Sequence, residues 1–288
     1  MGAGIALVFA RAGSNVALHA RRRSTLERAR ARIREAESRV VLTRSLERAV
    51  RGAELVVESV TEDSDTKQRL LAHAEQLVPR GALLATNTSS LPIGELASAL
   101  ERPAALAGMH WFNPPELVDL VEIVAGPATA PEVTETLADW AVALGKTPVV
   151  VRREMPGFVA NRLQYALIRE AYALVQSGVA SYADVDAAVR FGLGPRWAAV
   201  GPFESMDLAG LDVHHEVARR LFPTLANSRK PPLALARLVA DGKLGTKTGY
   251  GLRGRYDTAT VSALERRRAS ILRALSDRRR IDSSAPGA

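Results

Sequence analysis

The sequence predicts an α/β, doubly wound sheet followed by an all-helical C-terminal domain. Short apolar strands alternate with helical segments through the first half of the chain. That alternation indicates a largely parallel sheet covered on both faces. Beyond Arg153 the pattern changes, and apolar residues recur only at helical spacing.

The elements follow in order. Residues 2–12 read as the first turns of a helix rich in small residues. Gly13-Ser14-Asn15 is a turn, and Val16-Ala17-Leu18-His19-Ala20 a short strand. Residues 24–38 are helical, with Ser24 as N-cap. Strands follow at 40–42 and 54–58, then a helix over 64–77. Pro79-Arg80-Gly81 turns the chain into a strand at 82–86. Strands at 104–111, 120–124 and 147–152, with a helix at 131–144, complete the sheet domain. Pro156-Gly157 punctuates, and a helix runs to Gly178. Ser181-Tyr182-Ala183-Asp184 has the form of a capping box. Further helices are expected near 204–220, 232–241 and 258–276. The domains predicted are 1–153, 154–256, and a basic helical tail at 257–288 that frays from Asp282.

Composition narrows the functional classes. The 288 residues suffice for two domains with a substantial core. There is no cysteine, and the five histidines make no ligand-spaced cluster, so no metal is expected. No apolar run is long enough to span a bilayer, and no basic stretch precedes the apolar start. A cytoplasmic protein is the expectation. Only five of the 39 basic residues are lysine. The dense arginine clusters, 21–34 and 266–280, are not interleaved with aromatics. Nucleic acid is therefore not the expected partner. A phosphate-bearing small molecule is.

A dinucleotide-binding fold begins with a strand and then a glycine-rich turn that opens a helix beneath the pyrophosphate. Met1-Gly2-Ala3-Gly4-Ile5-Ala6 supplies only the end of such a motif. The expectation is a Rossmann-type domain whose first strand is missing from this chain, an internal Met standing at its start. Gly2 and Gly4 are then candidate cofactor-binding positions. The second strand of such a fold ends on an acidic residue that holds the adenosine ribose. Here Ala20 and Arg21-Arg22-Arg23 stand instead. NAD is the expected cofactor, and a guanidinium at this place also admits the 2′-phosphate of NADP.

Proton-transfer equipment lies further on. Thr86-Asn87-Thr88-Ser89-Ser90 is followed by His110-Trp111-Phe112-Asn113-Pro114, with Glu122 beyond. If the strands at 109–112 and 120–124 pair antiparallel around the intervening loop, His110 faces Glu122. A carboxylate partner fixes the imidazole tautomer and makes the ring a better proton acceptor. A purely structural His–Glu pair would read the same way, but Asn87, Ser89, Asn113 and Asn161 in nearby loops favour chemistry. Glu170 is the competing carboxylate and reads as an exposed helix residue. For Lys67 a solvated helix lysine is the bland alternative.

These stretches together resemble the 3-hydroxyacyl-CoA dehydrogenase family. The motifs are Gly2-Ala3-Gly4-Ile5-Ala6, Ala53-Glu54-Leu55-Val56-Val57-Glu58, the Thr86 and His110 segments, Pro156-Gly157-Phe158-Val159-Ala160-Asn161-Arg162, and Gly245-Thr246-Lys247-Thr248-Gly249-Tyr250-Gly251. The resemblance implies oxidation of a 3-hydroxyacyl-CoA to the 3-ketoacyl-CoA, or the reverse, by a homodimer. It implies His110 as general base, Glu122 as its orienting carboxylate, and Ser89 and Asn161 as partners of the substrate oxygen. Glu62, Lys67, Asn113 and Lys247 would lie near the cofactor.

The helical half departs from the acyl-CoA pattern at Gly194-Pro195-Arg196-Trp197. Arg196 could pair a substrate carboxylate. This resembles relatives acting on small polar hydroxy acids, of the L-gulonate, carnitine or pyridine-carboxylate type. A third reading is a crystallin-like or regulatory protein that retains the fold without turnover. The sequence ranks acyl-CoA first.

Overall fold

The computed structural model describes residues 1–282. The expected tail beyond Asp282 lies outside the described residues. Contacts divide the chain into two units, Met1–Arg162 and Leu163–Ala288. Among the described residues no helix is long and apolar enough to cross a membrane.

The first unit holds two sheets. β1 (Val16–His19) and β2 (Val40–Thr43) pair in parallel, with His19 opposite Thr43. A separate five-stranded sheet runs β3 (Leu55–Glu58), β4 (Leu83–Thr86), β5 (Leu106–Trp111), β6 (Leu120–Val124) and β7 (Thr147–Val151) in spatial order. Every pairing within it is parallel except β5 with β6. The sheets break between β1 and β3, where the sequence reading expects a first strand. α1 (Gly2–Arg11) starts there: a Cβ on Gly2 would lie 2.9 Å from Ser59 Oγ, past β3, and 3.7 Å from Leu18 of β1.

α1 joins the two sheets through two stripes. Ile5 and Val8 pack with Met109, Trp111 and Val121 of the larger sheet, and Phe9 joins them. Ala3, Leu7 and Ala10 pack with Val16, Leu18, Val40 and Leu42 of the smaller one. Offsets of three and four residues keep each stripe in line on a 3.6-residue repeat. Residues apolar on both stripes explain why the helix is so largely buried.

The larger sheet is covered on both faces, as doubly wound sheets are. α6 (Pro131–Ala143) shares the α1 face through Val133, Leu137 and Ala141. α4 (Ser64–Leu77) and α5 (Ile93–Ala97) cover the other through Leu71, Ile93 and Leu96, which meet Leu84, Leu106 and Val124. Alternation along β4 sends Ala85 to one core and Leu84 to the other.

Two helical expectations are corrected. α2 spans Arg23–Ile33, its N-cap is Arg22 rather than Ser24, and no side chain caps it. It stops early because a 3₁₀ turn follows, with Ala36 at φ −123°. The short α3 (Leu46–Val50) then leads to β3.

The second unit is helical, as expected. α7 (Ala160–Gln176) begins in the first unit. α8 (Tyr182–Ala188) opens with the expected capping box: Asp184 N–H donates to Ser181 Oγ, and Ser181 N–H to Asp184 Oδ2. α9 (Gly194–Ala199), α10 (Pro202–Ala209), α11 (Leu211–Leu221) and α12 (Leu233–Ala240) follow. The single helix expected over 204–220 is broken between α10 and α11 by Gly210. Its φ of +97° is left-handed, where a helix cannot continue. A small hairpin of β8 (Tyr250–Gly251) and β9 (Gly254–Arg255) precedes α13 (Thr258–Asp282). Glu170 is half-buried rather than exposed, because its carboxylate accepts the Ala226 N–H at 2.7 Å.

Leu84 is 0% exposed on β4, an interior strand of the larger sheet. Leu84→Ala should lower unfolding stability by about 2–5 kcal/mol, lost transfer energy plus a residual cavity. Denaturant titration checks this; a shift under about 1 kcal/mol would mean the site is not close-packed.

Candidate active site

The antiparallel β5–β6 pairing sets His110 opposite Glu122, in the register expected from the sequence. Facing residues on adjacent strands share a side of the sheet, and the two side chains meet. His110 Nδ1 lies 2.8 Å from Glu122 Oε2. Both are buried, Glu122 completely. Phe112 and Phe158 flank the imidazole with ring centroids 4.5 and 5.5 Å away.

The other oxygen of Glu122 accepts two backbone N–H groups, Val159 at 2.9 Å and Ala160 at 2.8 Å. The chain reaches this position through consecutive left-handed residues, Gly157 at φ +80° and Phe158 at φ +50°. Glycine adopts such a φ freely, whereas phenylalanine pays in backbone strain. The strained Phe158 turns the first amides of α7 toward the carboxylate, and the helix dipole adds to their effect. Burial pushes the Glu122 pKa up, but His110 and the Ala160 and Val159 amides outweigh it, and the net direction is down. An ionised carboxylate only accepts hydrogen bonds. The proton of the His110–Glu122 bond therefore sits on His110 Nδ1.

A second network surrounds Ser89 at the end of β4. Glu62 Oε1 accepts from Thr88 Oγ1 at 2.7 Å, Ser89 N–H at 2.8 Å and Ser90 N–H at 3.0 Å. Both serine hydroxyls also reach it, Ser90 at 3.0 Å and Ser89 at 3.3 Å. Burial raises the Glu62 pKa, yet these donors and the Lys67 ammonium bring it down to about 2. Lys67 Nζ stands 3.4 Å from Glu62 Oε2. It also bonds both oxygens of Glu58, each at 2.9 Å. Glu58 in turn accepts from Thr86 Oγ1 at 2.7 Å. Lys67 is 1% exposed, so the solvated-lysine alternative is overturned. It is drawn inward because Glu58, buried at the end of β3, needs a counter-charge.

Glu58 enters the sequence motifs only as the last residue of the 53–58 stretch. Its signal is an acid closing an apolar strand nine residues before a lysine. Lys146 was passed over. Its ammonium donates to the carbonyls of Pro115 at 2.8 Å and Val118 at 3.0 Å, and so holds the loop that follows Asn113. Asn113 itself is exposed, beside a cis bond to Pro114. Arg32 ties the same loop to α2 through three bonds to Glu116, at 2.7, 2.9 and 3.2 Å.

Gly4 faces this loop, and a Cβ there would meet Pro115 Cγ at 2.6 Å. α1 has neither a side-chain cap nor an acidic residue in its first turn, which suits a pyrophosphate. Ala20 follows β1, and Arg21 is exposed beside it. Asn161 is half-buried in the first turn of α7, next to the amides that hold Glu122. Arg196, exposed on α9, and Lys247, exposed in the turn between Gly245 and Gly249, belong to the second unit. The first unit thus brings together His110, Glu122 and the 157–160 turn, and separately Ser89, Glu62, Lys67 and Glu58.

Two family models match the chain. The model for the 3-hydroxyacyl-CoA dehydrogenase NAD binding domain matches residues 1–155. The model for the 3-hydroxyacyl-CoA dehydrogenase C-terminal domain matches residues 157–254. The chain is 35% identical to a 5-formyl-3-hydroxy-2-methylpyridine 4-carboxylate 5-dehydrogenase from Mesorhizobium japonicum, over 94% of this chain and 93% of the relative. A crystal structure of an enzyme of that name, described as an NAD+ dependent dismutase, superposes with a TM-score of 0.92 at 34% identity, covering 99% of this chain and 96% of that one. A 3-hydroxyacyl-CoA dehydrogenase from Archaeoglobus fulgidus superposes with a TM-score of 0.72 at 32% identity, covering 96% and 95%.

Glu62 supplies a pH test. A carboxyl whose folded pKa is depressed contributes stability above its ordinary value of 4.5 and loses it as pH falls toward about 2. The melting temperature of Glu62→Gln should lie below that of the parent at neutral pH. The gap should close as pH is lowered through that window. A gap independent of pH would contradict the network.

Proposed function

The chain belongs to the 3-hydroxyacyl-CoA dehydrogenase family, and we propose that within it the protein oxidises the alcohol of a small polar hydroxy acid, or reduces the corresponding carbonyl, with a nicotinamide dinucleotide. The observation that carries the chemistry is the 2.8 Å bond between His110 Nδ1 and Glu122. His110 Nε2 takes the hydroxyl proton, and Glu122 stabilises the imidazolium that forms. Ser89 and Asn161 hydrogen-bond the substrate oxygen as its charge changes. The nicotinamide, when bound, accepts the hydride. Gly2, Gly4, Ala20, Arg21, Glu62, Lys67, Asn113 and Lys247 are the residues assigned to the cofactor.

The substrate class rests on the likeness to the pyridine-carboxylate dehydrogenase, which extends over nearly the whole of both chains and superposes more closely than the acyl-CoA relative. Arg196 then pairs the substrate carboxylate. Oxidation of a 3-hydroxyacyl-CoA is the second reading. It is favoured by the family models and ranks first on sequence alone.

A homodimer is part of the proposal. Phe203, Leu208 and Phe222 of the second unit are 79%, 78% and 73% exposed. Several large apolar side chains exposed in one helical unit are explained by burial against a second copy.

Absorbance at 340 nm tests the reaction. Hydroxypyridine carboxylates, L-carnitine and L-gulonate would be assayed with NAD or NADP, and acetoacetyl-CoA with the reduced cofactors. The expected result is turnover of a hydroxy acid, with kcat lowered about 100- to 10,000-fold in His110→Ala. Turnover of acetoacetyl-CoA alone would select the second reading. Normal turnover by His110→Ala would reject the base. Sedimentation at micromolar concentration should give twice the chain mass, and a monomer would contradict the dimer.

A further inference from the structure

The corner after β1 is built from cations and contains no acid. His19 ends the strand, and Ala20, Arg21 and Arg22 follow before α2 begins at Arg23. The parallel register sets His19 opposite Thr43, so Arg44, next after β2, arrives beside Ala20. Arg44 Nε donates to the Arg21 carbonyl at 3.1 Å, which anchors a third guanidinium under the corner. Burial lowers the His19 pKa, outweighing its bond to the Arg44 backbone, and the Arg21 charge lowers it further. The ring is then neutral, and the corner's charge is that of the guanidiniums.

Among the described residues, no ion pair involves Arg21, Arg22 or Arg44. The nearby Glu27 is engaged by Arg23 at 3.0 Å. α2 opens without a side-chain cap and without an acid in its first turn, so its first N–H groups also face the corner uncapped. A ribose with free hydroxyls calls for a carboxylate acceptor, and residues 19–25 offer none. A phosphomonoester calls for planar guanidinium donors and a helix N-terminus.

We infer that this corner binds a phosphomonoester carried on an adenosine ribose, and that Arg21, Arg22 and Arg44 thereby select the 2′-phosphorylated dinucleotide, NADP, over NAD. The inference rests on the dinucleotide-binding reading above and deepens it. One solved relative is described as NAD+ dependent, so the selection would set this chain apart from it. Coenzyme A carries the same chemistry on its 3′-hydroxyl, so the position of the phosphate must be tested as well.

Calorimetric titration with adenosine 2′,5′-bisphosphate, adenosine 3′,5′-bisphosphate and 5′-AMP tests it without turnover. The 2′,5′ compound should bind at least about tenfold more tightly than the other two, a difference of about 1.4 kcal/mol. The double variant Arg21→Ala/Arg22→Ala should abolish that margin. Arg28→Ala, which removes one charge further along α2, should leave it intact. Equal binding of 2′,5′-bisphosphate and 5′-AMP would overturn the proposal. So would preference for the 3′,5′ compound, or an equal loss in Arg28→Ala. Quenching of tryptophan fluorescence by NADH and NADPH separates the two levels of the argument. Tight binding of both without preference defeats only the selection, whereas binding of neither defeats the dinucleotide reading and the selection with it.

Discussion

A carboxylate held negative inside the protein is the constraint on which the site depends. Glu122 has no contact with water, yet it is drawn toward the ionised form by three donors. An isolated buried charge is costly, and a charge that accepts well-aligned hydrogen bonds is not. Two of the donors are backbone amides at the start of α7, so the carboxylate and the helix fix each other. The third is the imidazole. Since the amides already satisfy one oxygen, the other is left to define which ring nitrogen carries the proton. The orientation of the His110–Glu122 pair thus depends on the φ angles of Gly157 and Phe158.

The Ser89 network repeats this logic with a full ion pair. Lys67 and Glu58 are both buried, and removing one partner of such a pair strands a charge at a cost of about 3–5 kcal/mol. The pair and its Thr86 partner link β3, β4 and α4, the elements that flank the Glu62 and Ser89 loops. Glu62 gathers donors from three consecutive residues onto one oxygen, which holds the Ser89 loop in one conformation. Catalytic oxygens need donors that are already in place when charge moves. Here they come from the loop that follows β4, pinned onto the Glu62 carboxylate.

Much of this was legible in the sequence. The alternation of strands and helices gave the architecture, because period-2 and period-3.6 burial leave different marks. The His110–Glu122 contact could be deduced from a loop length and a constant residue sum. The capping box at Ser181 was legible because both partners are adjacent in sequence. What escaped depends on burial or on backbone angle. Leu55-Val56-Val57-Glu58 reads as a strand ending in an acid, and nothing local says that the acid is enclosed. Lys67 looks like any helical lysine until Glu58 is placed below it. The left-handed Phe158 has no signature, since phenylalanine rarely adopts that φ. Ser24 offered a better cap than Arg22 by composition, but the strand-to-helix path sets the cap two residues earlier.

The central claim is that Glu122 holds His110 in the Nδ1-protonated tautomer. Long-range proton–nitrogen correlation spectra of the 15N-labelled imidazole, recorded at neutral pH and repeated on Glu122→Gln to identify the resonance, test it most directly. The account predicts a pyrrole-like Nδ1 and a pyridine-like Nε2 for His110. A proton resident on Nε2 would contradict it.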